Sequence, residues 1–306
     1  MKPTVLVTTP IAEAYRRALE ERYELTFDAG ARDGVRAVVA SGDFRGDEAT
    51  MDAMPQLGLI ACIGAGYDGI DLAAAARRGI KVANTAGANA SAVADFTIGL
   101  LLSLVRRINE AERLVRAGAW RGERAGRLVA APGLTGRRVG VVGMGAIGRK
   151  IASRLAAFET EIGYTGPSAK DDVSYRFFEN VTALAEWADI LILAHRASAA
   201  NRHLVNAAVL RALGPRGFLV NISRGSAVDE EALIEAIETR AIAGAALDVF
   251  EHEPQVRPDL LSLGETVLTP HIAGGSQQAL DAMFAVVGAN LDAFFEGRPL
   301  PNEVSV

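Results

Sequence analysis

The feature that most constrains the fold is a glycine-rich segment near the middle of the chain, residues 139–148. Three of its first four residues are valine, which predicts a buried strand. The apolar residues that follow recur at the spacing of one helix face, at Ile147, Ile151, Leu155 and Phe158. Gly143, Gly145 and Gly148 stand between strand and helix in the pattern G-x-G-x-x-G. Strand, glycines and helix together predict a dinucleotide-binding turn, whereas the glycines without that context would indicate only an ordinary turn.

Each glycine has a physical role in such a turn. Gly143 allows the sharp change of direction, Gly145 lets a pyrophosphate approach the backbone, and Gly148 lets the helix pack closely on the strand. The helix begins near Ala146 and Ile147, whose N–H groups have no partner within the helix and favour an anion. We therefore expect these five residues to bind the cofactor.

The composition limits the kind of partner and the compartment. The formal net charge is −5 and the isoelectric point is near 5.5, which disfavours nucleic acids and anionic membranes as partners. The longest apolar stretch, residues 96–105, is too short to span a bilayer, and no signal peptide is expected before the first strand. The single cysteine, Cys62, lies in an apolar run and is expected to be a buried thiol. These features predict a soluble cytoplasmic protein.

Strands and helices alternate along the chain in two series. This alternation predicts an α/β fold with two doubly wound parallel sheets and a cleft between two domains. In the first series, strands are predicted at residues 5–7, 37–40, 57–63 and 81–84, and helices at 12–21 and 71–78. A long helix at 90–107 and an exposed connection at 113–132 lead to the second series. There, strands are predicted at 139–142, 162–164, 190–194, 218–222, 243–247 and 266–268, and helices at 147–158, 207–213, 229–239 and 277–295.

Polar side chains follow three strands of the second series, at the point where each strand ends. Ligands bind at the carboxyl ends of parallel strands, so we expect these side chains to lie near the cofactor. They are Arg224 in residues 221–225, Asp248, Glu251 and Glu253 in residues 247–254, and His271 in residues 268–274.

These side chains suit the reduction of a 2-keto acid. His271 can supply the proton that the carbonyl oxygen needs as a hydride arrives. A carboxylate, from either Glu251 or Glu253, can orient the imidazole and favour its charged form. Arg224 can polarise the ketone and hold the substrate carboxylate through its planar fork. No metal site is expected, because the histidines and carboxylates lack a ligand spacing such as H-x-x-x-H.

Most of the chain resembles the D-isomer-specific 2-hydroxyacid dehydrogenases. The motifs that resemble this family are residues 64–71, residues 93–97, the glycine-rich turn, Arg224-Gly225, Asp248-Val249-Phe250, Glu253-Pro254 and Thr269-Pro270-His271. The spacings between Arg224, Glu253 and His271 also look right for it. The resemblance implies a flavodoxin-like substrate-binding domain at 1–98 plus 282–306, a Rossmann-like dinucleotide-binding domain at 99–281, and a homodimer.

The resemblance also implies the roles of individual residues. Arg224, Glu253 and His271 are the catalytic trio, so Glu253 is preferred to Glu251. The N–H groups of Ala65 and Gly66 hold the substrate carboxylate, together with Arg224 and His271. Asp248 is expected to meet the carboxamide of the nicotinamide. Besides the residues of the glycine-rich turn, those expected to bind the cofactor are Thr165, Gly166, Ser168, Lys170, His195, Arg196, Ile222, Ser223, Arg224, Asp248, His271 and Gly274.

Within the family, the chain is most like the glyoxylate/hydroxypyruvate or hydroxyphenylpyruvate reductases, which act on small 2-keto acids. A 3-phosphoglycerate dehydrogenase is an alternative enzyme. A dinucleotide-sensing corepressor built on the same fold is a non-enzymatic alternative, and turnover distinguishes it from the enzymes. A formate dehydrogenase is disfavoured, because Glu253 stands where that branch lacks the acid.

The strand after the glycine-rich turn bears on the choice between NAD(H) and NADP(H). An NAD enzyme usually has Asp or Glu at its end to bind the ribose hydroxyls, and here that position is Gly166. Thr165 and Ser168 can donate hydrogen bonds to a 2′-phosphate, and Lys170 and Arg196 can add positive charge. NADP(H) is therefore expected to be favoured over NAD(H). The alternative is that both cations are solvated surface residues and either cofactor is used.

Overall fold

The computed structural model describes residues 2–28, 30, 32–42 and 44–304. The chain divides into two compact units, residues 1–90 with 275–306, and residues 91–274. The domain boundaries expected from the sequence, after residues 98 and 281, lie a few residues farther along the chain.

The described residues contain parallel strands and helices in alternation. The strands are β1 (Thr4–Val7), β2 (Glu24–Thr26), β3 (Val35–Ala40), β4 (Leu59–Cys62), β5 (Lys81–Ala83), β6 (Arg138–Val142), β7 (Glu161–Thr165), β8 (Arg176–Phe178), β9 (Ile190–Leu193), β10 (Phe218–Asn221), β11 (Gly244–Leu247) and β12 (Thr266–Leu268). The helices are α1 (Glu13–Glu20), α2 (Glu48–Asp52), α3 (Leu72–Arg77), α4 (Ala90–Val105), α5 (Ile108–Arg116), α6 (Glu123–Val129), α7 (Ala146–Ala156), α8 (Val181–Trp187), α9 (Ala207–Leu213), α10 (Glu230–Glu238), α11 (Pro258–Ser262) and α12 (Gln277–Phe295).

The described part of the first unit is organised by a five-stranded parallel sheet in the order β2-β1-β3-β4-β5. The C-terminal helix α12 packs on this sheet, where Leu291 joins a core that includes Val5 and Leu59. Asp71 is the N-cap of α3, because its carboxylate accepts a hydrogen bond from the N–H of Ala74 at 2.8 Å.

In the second unit, a seven-stranded parallel sheet runs in the order β12-β11-β10-β9-β6-β7-β8. Apolar clusters cover it on both faces, one around Leu184, Leu210 and Leu233 and the other around Ile151 and Leu155. Strands buried on both faces explain the continuous apolar runs of the sequence. The strand order reverses at β6, which pairs with β9 on one side and β7 on the other. Ligands of such sheets bind outside the carboxyl ends of the strands at this reversal.

The structure confirms the predicted fold class of two parallel, doubly wound sheets, and it adds helical structure to the connection at residues 113–132. The end of α5 and the whole of α6 lie in that stretch, for which the sequence predicted an exposed connection and no helix was named. Gly118 and Gly122 separate the two helices with φ angles of +66° and +112°, and they obscured the helical pattern. The expected exposure is present, since Trp120 is 74% and Val129 is 87% exposed.

The sequence pattern did not predict β2, β8, α2, α8 and α11. The two strands have three residues each and lie at sheet edges, so neither has a long apolar run. The three helices span five to seven residues, too few to show a helical period. Among the described residues, no helix has both the length and the apolar character that crossing a membrane requires.

Candidate active site

The glycine-rich turn joins β6 to α7, and close packing explains two of its glycines. A Cβ on Gly148 would lie 2.0 Å from the carbonyl oxygen of Gly143. A Cβ on Gly143 would lie 2.6 Å from the Cα of His195, and Gly143 also has a φ of +95°. At Gly145, by contrast, a Cβ would meet no atom within 4 Å. The turn is therefore tight where the helix meets the sheet and open where the helix begins.

The start of α7 has the properties of an anion site. Gly145 is its N-cap and has no side chain to accept a hydrogen bond from the first turn. The N–H groups of Ala146 and Ile147 thus receive no partner from the cap, and the helix dipole adds partial positive charge there. The open position at Gly145 leaves room for a pyrophosphate to reach these groups. The turn therefore fits a dinucleotide cofactor.

The end of β7, where an NAD enzyme usually has an acid, has no carboxylate at the expected position. Thr165 is buried, and Gly166 follows it with open space around its Cα. The next residues curl back, because the N–H of Lys170 donates a hydrogen bond to the Tyr164 hydroxyl at 2.8 Å. Ser168 and Lys170 are exposed at this edge. The edge is open to a group larger than a ribose hydroxyl.

A histidine–carboxylate pair lies at the ends of β11 and β12. The Nδ1 atom of His271 is 2.7 Å from Oε2 of Glu253, and Oε1 of Glu253 accepts a hydrogen bond from the Phe250 N–H at 2.9 Å. Burial disfavours the charge of Glu253, but these two hydrogen bonds and the positive charge of Arg224 outweigh it and lower the pKa of that carboxyl. The pair thus holds a carboxylate against one ring nitrogen of His271.

The structure decides between the two carboxylates that the residue pattern left open. Glu251 does not contact His271; its Oε1 lies 2.9 Å from Nε2 of His203 and also accepts a hydrogen bond from Arg202. Of these two carboxylates, Glu253 is the one within hydrogen-bonding distance of the imidazole of His271.

The second unit thus combines a glycine-rich turn with a histidine–carboxylate pair and a guanidinium at the strand ends of one sheet. Comparisons with known proteins agree with this arrangement. A family model described as "D-isomer specific 2-hydroxyacid dehydrogenase, NAD binding domain" matches residues 98–273. The chain belongs to the D-isomer specific 2-hydroxyacid dehydrogenase family. Members of this family are nicotinamide-dependent oxidoreductases, so the protein is an enzyme of that class.

Similar proteins cover the whole length of this 2-hydroxyacid dehydrogenase. It is 37% identical to glyoxylate/hydroxypyruvate reductase A of Arabidopsis thaliana and 36% identical to a hydroxyphenylpyruvate reductase of Plectranthus scutellarioides, with 97% of both chains covered in each case. The solved structure of an NADPH-dependent glyoxylate/hydroxypyruvate reductase from Sinorhizobium meliloti, in complex with NADP and malonate, matches with a TM-score of 0.91 at 38% identity. That match covers 100% of this chain and 97% of the other.

Asp248 organises the loop that carries the histidine of this dehydrogenase. Asp248 is 1% exposed. Its carboxylate accepts hydrogen bonds from the Thr269 hydroxyl at 2.6 Å and from the N–H groups of Ile272 at 3.0 Å and Ala273 at 2.8 Å. The backbone of His271 has a φ of +53°, a conformation that costs energy for a residue with a side chain. Three bonds to one buried carboxylate hold the loop in that conformation.

Asn221 holds the loop that carries Arg224 through hydrogen bonds in a similar way. Its amide donates a hydrogen bond to the carbonyl of Arg224 at 2.9 Å and accepts bonds from the N–H and hydroxyl of Ser223. It is 1% exposed. No role was predicted for Asn221 from the sequence, although an amide at the end of an apolar strand is a signal of such a loop anchor. Two other residues assigned to the cofactor, Ile222 and Gly274, lie in these same loops.

The expected substrate loop lies in the first unit and is shaped by two polar residues. The hydroxyl of Thr85 accepts a hydrogen bond from the Gly64 N–H at 2.7 Å, and the amide of Asn84 donates one to the carbonyl of Ala65 at 3.0 Å. These bonds leave the N–H groups of Ala65 and Gly66 without a backbone partner in the described part of the chain. Consecutive N–H groups of this kind form an anion-binding nest.

His195 follows β9 and has an unusual environment. Both ring nitrogens are buried, and neither has a hydrogen-bond partner among the described residues. Burial lowers the pKa of His195 to about 4, so its imidazole is neutral at physiological pH. A neutral imidazole has one donor and one acceptor, and leaving both unpaired is costly. Since its backbone contacts Gly143, this side chain suits a cofactor group that can both donate and accept, such as a ribose hydroxyl.

We predict that His195→Leu stabilises the protein while weakening cofactor binding. Removing two unpaired buried nitrogens should raise the Tm at pH 7 by roughly 3–6 °C. The difference in Tm between the variant and the wild type should grow as the pH falls from about 6.5 to about 4. Over that range the wild-type histidine binds a proton in the unfolded state but not in the folded state, which destabilises the wild type alone. Thermal melts of both proteins at pH 7 and pH 5 measure the two effects. A Tm gap that is equal at both pH values would contradict the prediction.

Among the described residues, no group of three or more His, Cys, Asp or Glu side chains could hold a metal ion.

Proposed function

We propose that the protein reduces a small 2-keto acid to the D-2-hydroxy acid, with His271 as proton donor. The contact that carries this proposal is the 2.7 Å hydrogen bond between Nδ1 of His271 and Oε2 of Glu253. It fixes the ring and leaves Nε2 to hold the proton that the carbonyl oxygen receives. A bound nicotinamide cofactor supplies the hydride.

Two further groups hold the substrate in this proposal. The guanidinium of Arg224 polarises the ketone and binds the carboxylate, and Asn221 fixes the backbone that carries it. The N–H groups of Ala65 and Gly66 are proposed to bind the substrate carboxylate. The hydrogen bonds of Thr85 with Gly64 and of Asn84 with Ala65 support this role, because they order the loop without using those two N–H groups.

The cofactor is held by the turn between β6 and α7 and by the strand ends on either side. The N–H groups of Ala146 and Ile147 bind the pyrophosphate, and His195 contacts the adenosine half. Asp248 was expected to meet the nicotinamide carboxamide. Its three bonds to the histidine loop leave one acceptor position on Oδ2 for that contact.

NADP(H) is the cofactor that we propose, because the end of β7 offers Gly166 in place of an acid. We predict a higher kcat/KM with NADPH than with NADH. Lys170→Ala or Arg196→Ala should raise the KM for NADPH roughly tenfold and leave NADH kinetics unchanged, since a lost charged hydrogen bond to a 2′-phosphate affects NADPH alone. Arg211→Ala, an exposed cation on α9, is the matched control. A wild-type preference for NADH would overturn the proposal, and equal losses with both cofactors would exclude these two side chains.

The substrate is proposed to be glyoxylate or hydroxypyruvate. The names of the Arabidopsis and Sinorhizobium relatives support this choice, whereas that of the Plectranthus relative supports hydroxyphenylpyruvate. A kinetic panel of glyoxylate, hydroxypyruvate, pyruvate, hydroxyphenylpyruvate and phosphohydroxypyruvate tests these options and that of a 3-phosphoglycerate dehydrogenase. Cofactor binding without turnover of any acid would favour the corepressor instead.

A homodimer through the second unit is also proposed. Helices α5 and α6 and the residues beside them expose large apolar side chains that water does not favour: Ile108, Val115, Trp120 and Val129. Light scattering coupled to size-exclusion chromatography measures the mass in solution.

A further inference from the structure

Glu251, the carboxylate that does not contact His271, joins several segments of the second unit. Its side chain is only 13% exposed, and Oε1 lies 2.9 Å from Nε2 of His203. Its backbone N–H donates a hydrogen bond at 2.7 Å to Oε1 of Glu230, a charged residue that is 4% exposed. Burial opposes ionisation of Glu251, but the hydrogen bond from His203 and the charges of His203 and Arg202 lower the pKa of its carboxyl. Glu251 is therefore held by hydrogen bonds at both its half-buried side chain and its backbone.

His203 belongs to a segment that is paired with the residues following Arg224. Its N–H donates a hydrogen bond to the carbonyl of Ser226 at 2.8 Å. Two residues later, the N–H of Val205 donates to the carbonyl of Ala227 at 2.9 Å. The Arg224 loop is thus attached along its length to the segment that carries the histidine partner of Glu251.

The Arg224 loop also touches the Glu251 turn directly. A Cβ on Gly225 would lie 1.8 Å from the carbonyl carbon of Phe250 and 2.2 Å from the backbone nitrogen of Glu251. Three segments, which follow β9, β10 and β11, therefore meet at the Glu251–His203 pair. Arg224 is adjacent to Gly225, and Glu253 lies two residues after Glu251.

We propose that the Glu251–His203 pair positions the catalytic trio, by holding the turn at residues 250–254 against the loop of Arg224. The pair touches no reacting group and acts through Glu253, whose carboxylate it keeps in line with Nδ1 of His271. The kinetic part of this inference rests on the proposed reduction of a keto acid. A displacement of a catalytic group by about 1 Å costs as much as ~10²-fold in rate, so a loosened turn has a measurable effect.

The variants that test this role are His203→Ala, His203→Gln and Glu251→Gln. His203→Ala should lower kcat/KM for the keto acid by roughly 10–100-fold and change the dissociation constant of the cofactor less than about twofold. His203→Gln restores a donor to Glu251 and should recover most of the rate. Arg202→Ala is the control, because Arg202 is 56% exposed and its ion pair to the same carboxylate is worth little. Equal losses in the Arg202 and His203 variants would overturn the proposal.

A double mutant separates positioning from a general loss of structure. If His203 acts through Glu253, then adding His203→Ala to Glu253→Gln should produce no further loss of rate. A merely structural role would give independent losses that multiply, and that result would overturn the inference. If His203→Ala does not fold, the same cycle with Glu251→Gln, which conserves volume, decides between the two.

Histidine NMR gives a readout that does not depend on turnover. The chain has four histidines, so ¹⁵N ring signals can be assigned from single variants. Glu251→Gln and His203→Ala should shift the Nδ1 signal of His271, and His203→Gln should restore it. Unchanged His271 signals in the first two variants would overturn the inference. If the wild type reduces no keto acid but the signals respond, the proposed function fails while the positioning role stands.

Discussion

The variant His271→Asn is expected to lose ~10²–10⁴-fold in turnover of a keto acid, the usual contribution of a general acid. Asparagine cannot supply a proton at neutral pH. It does tolerate the left-handed backbone of residue 271, whose φ is +53°, so the loop should keep its shape. Cofactor affinity should therefore remain close to that of the wild type. Steady-state kinetics together with a fluorescence titration of the cofactor separate the two quantities, and near-normal turnover would refute the assignment.

The pH profile of Glu253→Gln tests the same assignment independently. The lowered pKa of Glu253 keeps it ionised at neutral pH, with Oε2 2.7 Å from Nδ1 of His271. A neutral glutamine removes that negative charge, which otherwise stabilises a positive charge beside it. The alkaline limb of keto-acid reduction should accordingly move to lower pH, while His271→Asn should have no such limb. An unchanged profile would reduce Glu253 to a residue that only shapes the turn.

Gly225→Ala is expected to damage stability and activity together. The added Cβ would lie 1.8 Å from the carbonyl carbon of Phe250, and a backbone atom cannot rotate away as a side chain can. The two catalytic loops must then move apart, at a cost above the ~1–3 kcal/mol typical of overpacking. A loss of that size lowers the Tm by roughly 6–12 °C in a unit of this length. Keto-acid turnover should fall as well, because Arg224 and Glu253 lie on the displaced loops.

The matched control for this variant is Gly264→Ala. A Cβ at Gly264 meets no atom within 4 Å, and this glycine has no left-handed φ. Its Tm and kinetics should therefore match the wild type. The steric argument at residue 225 would be wrong if both substitutions had the same effect on the Tm.

The local features of this protein could be predicted from the sequence because each depends on neighbouring residues. The strand, glycines and helix around residue 145 lie within twenty residues and show the β and α periods directly. The buried strands of the second sheet are continuous apolar runs for the same reason, and β12, α9 and α12 have the predicted bounds. Where the period was too short or was interrupted by glycine, as in α5 and α6, the helices were not predicted.

The residue types at the strand ends indicated the chemistry, but only the tertiary structure decided which of them act together. Glu251 and Glu253 are two positions apart, and their sequence context does not show that one meets His271 and the other His203. The same is true of Asn221 and Asp248, whose hydrogen bonds shape loops, and of Gly225, whose requirement comes from a peptide 25 residues away. The sequence alone gives the type of each side chain. Hydrogen bonds and steric contacts between loops depend on how the strands are ordered in the sheet, and that order brings distant residues within 3 Å.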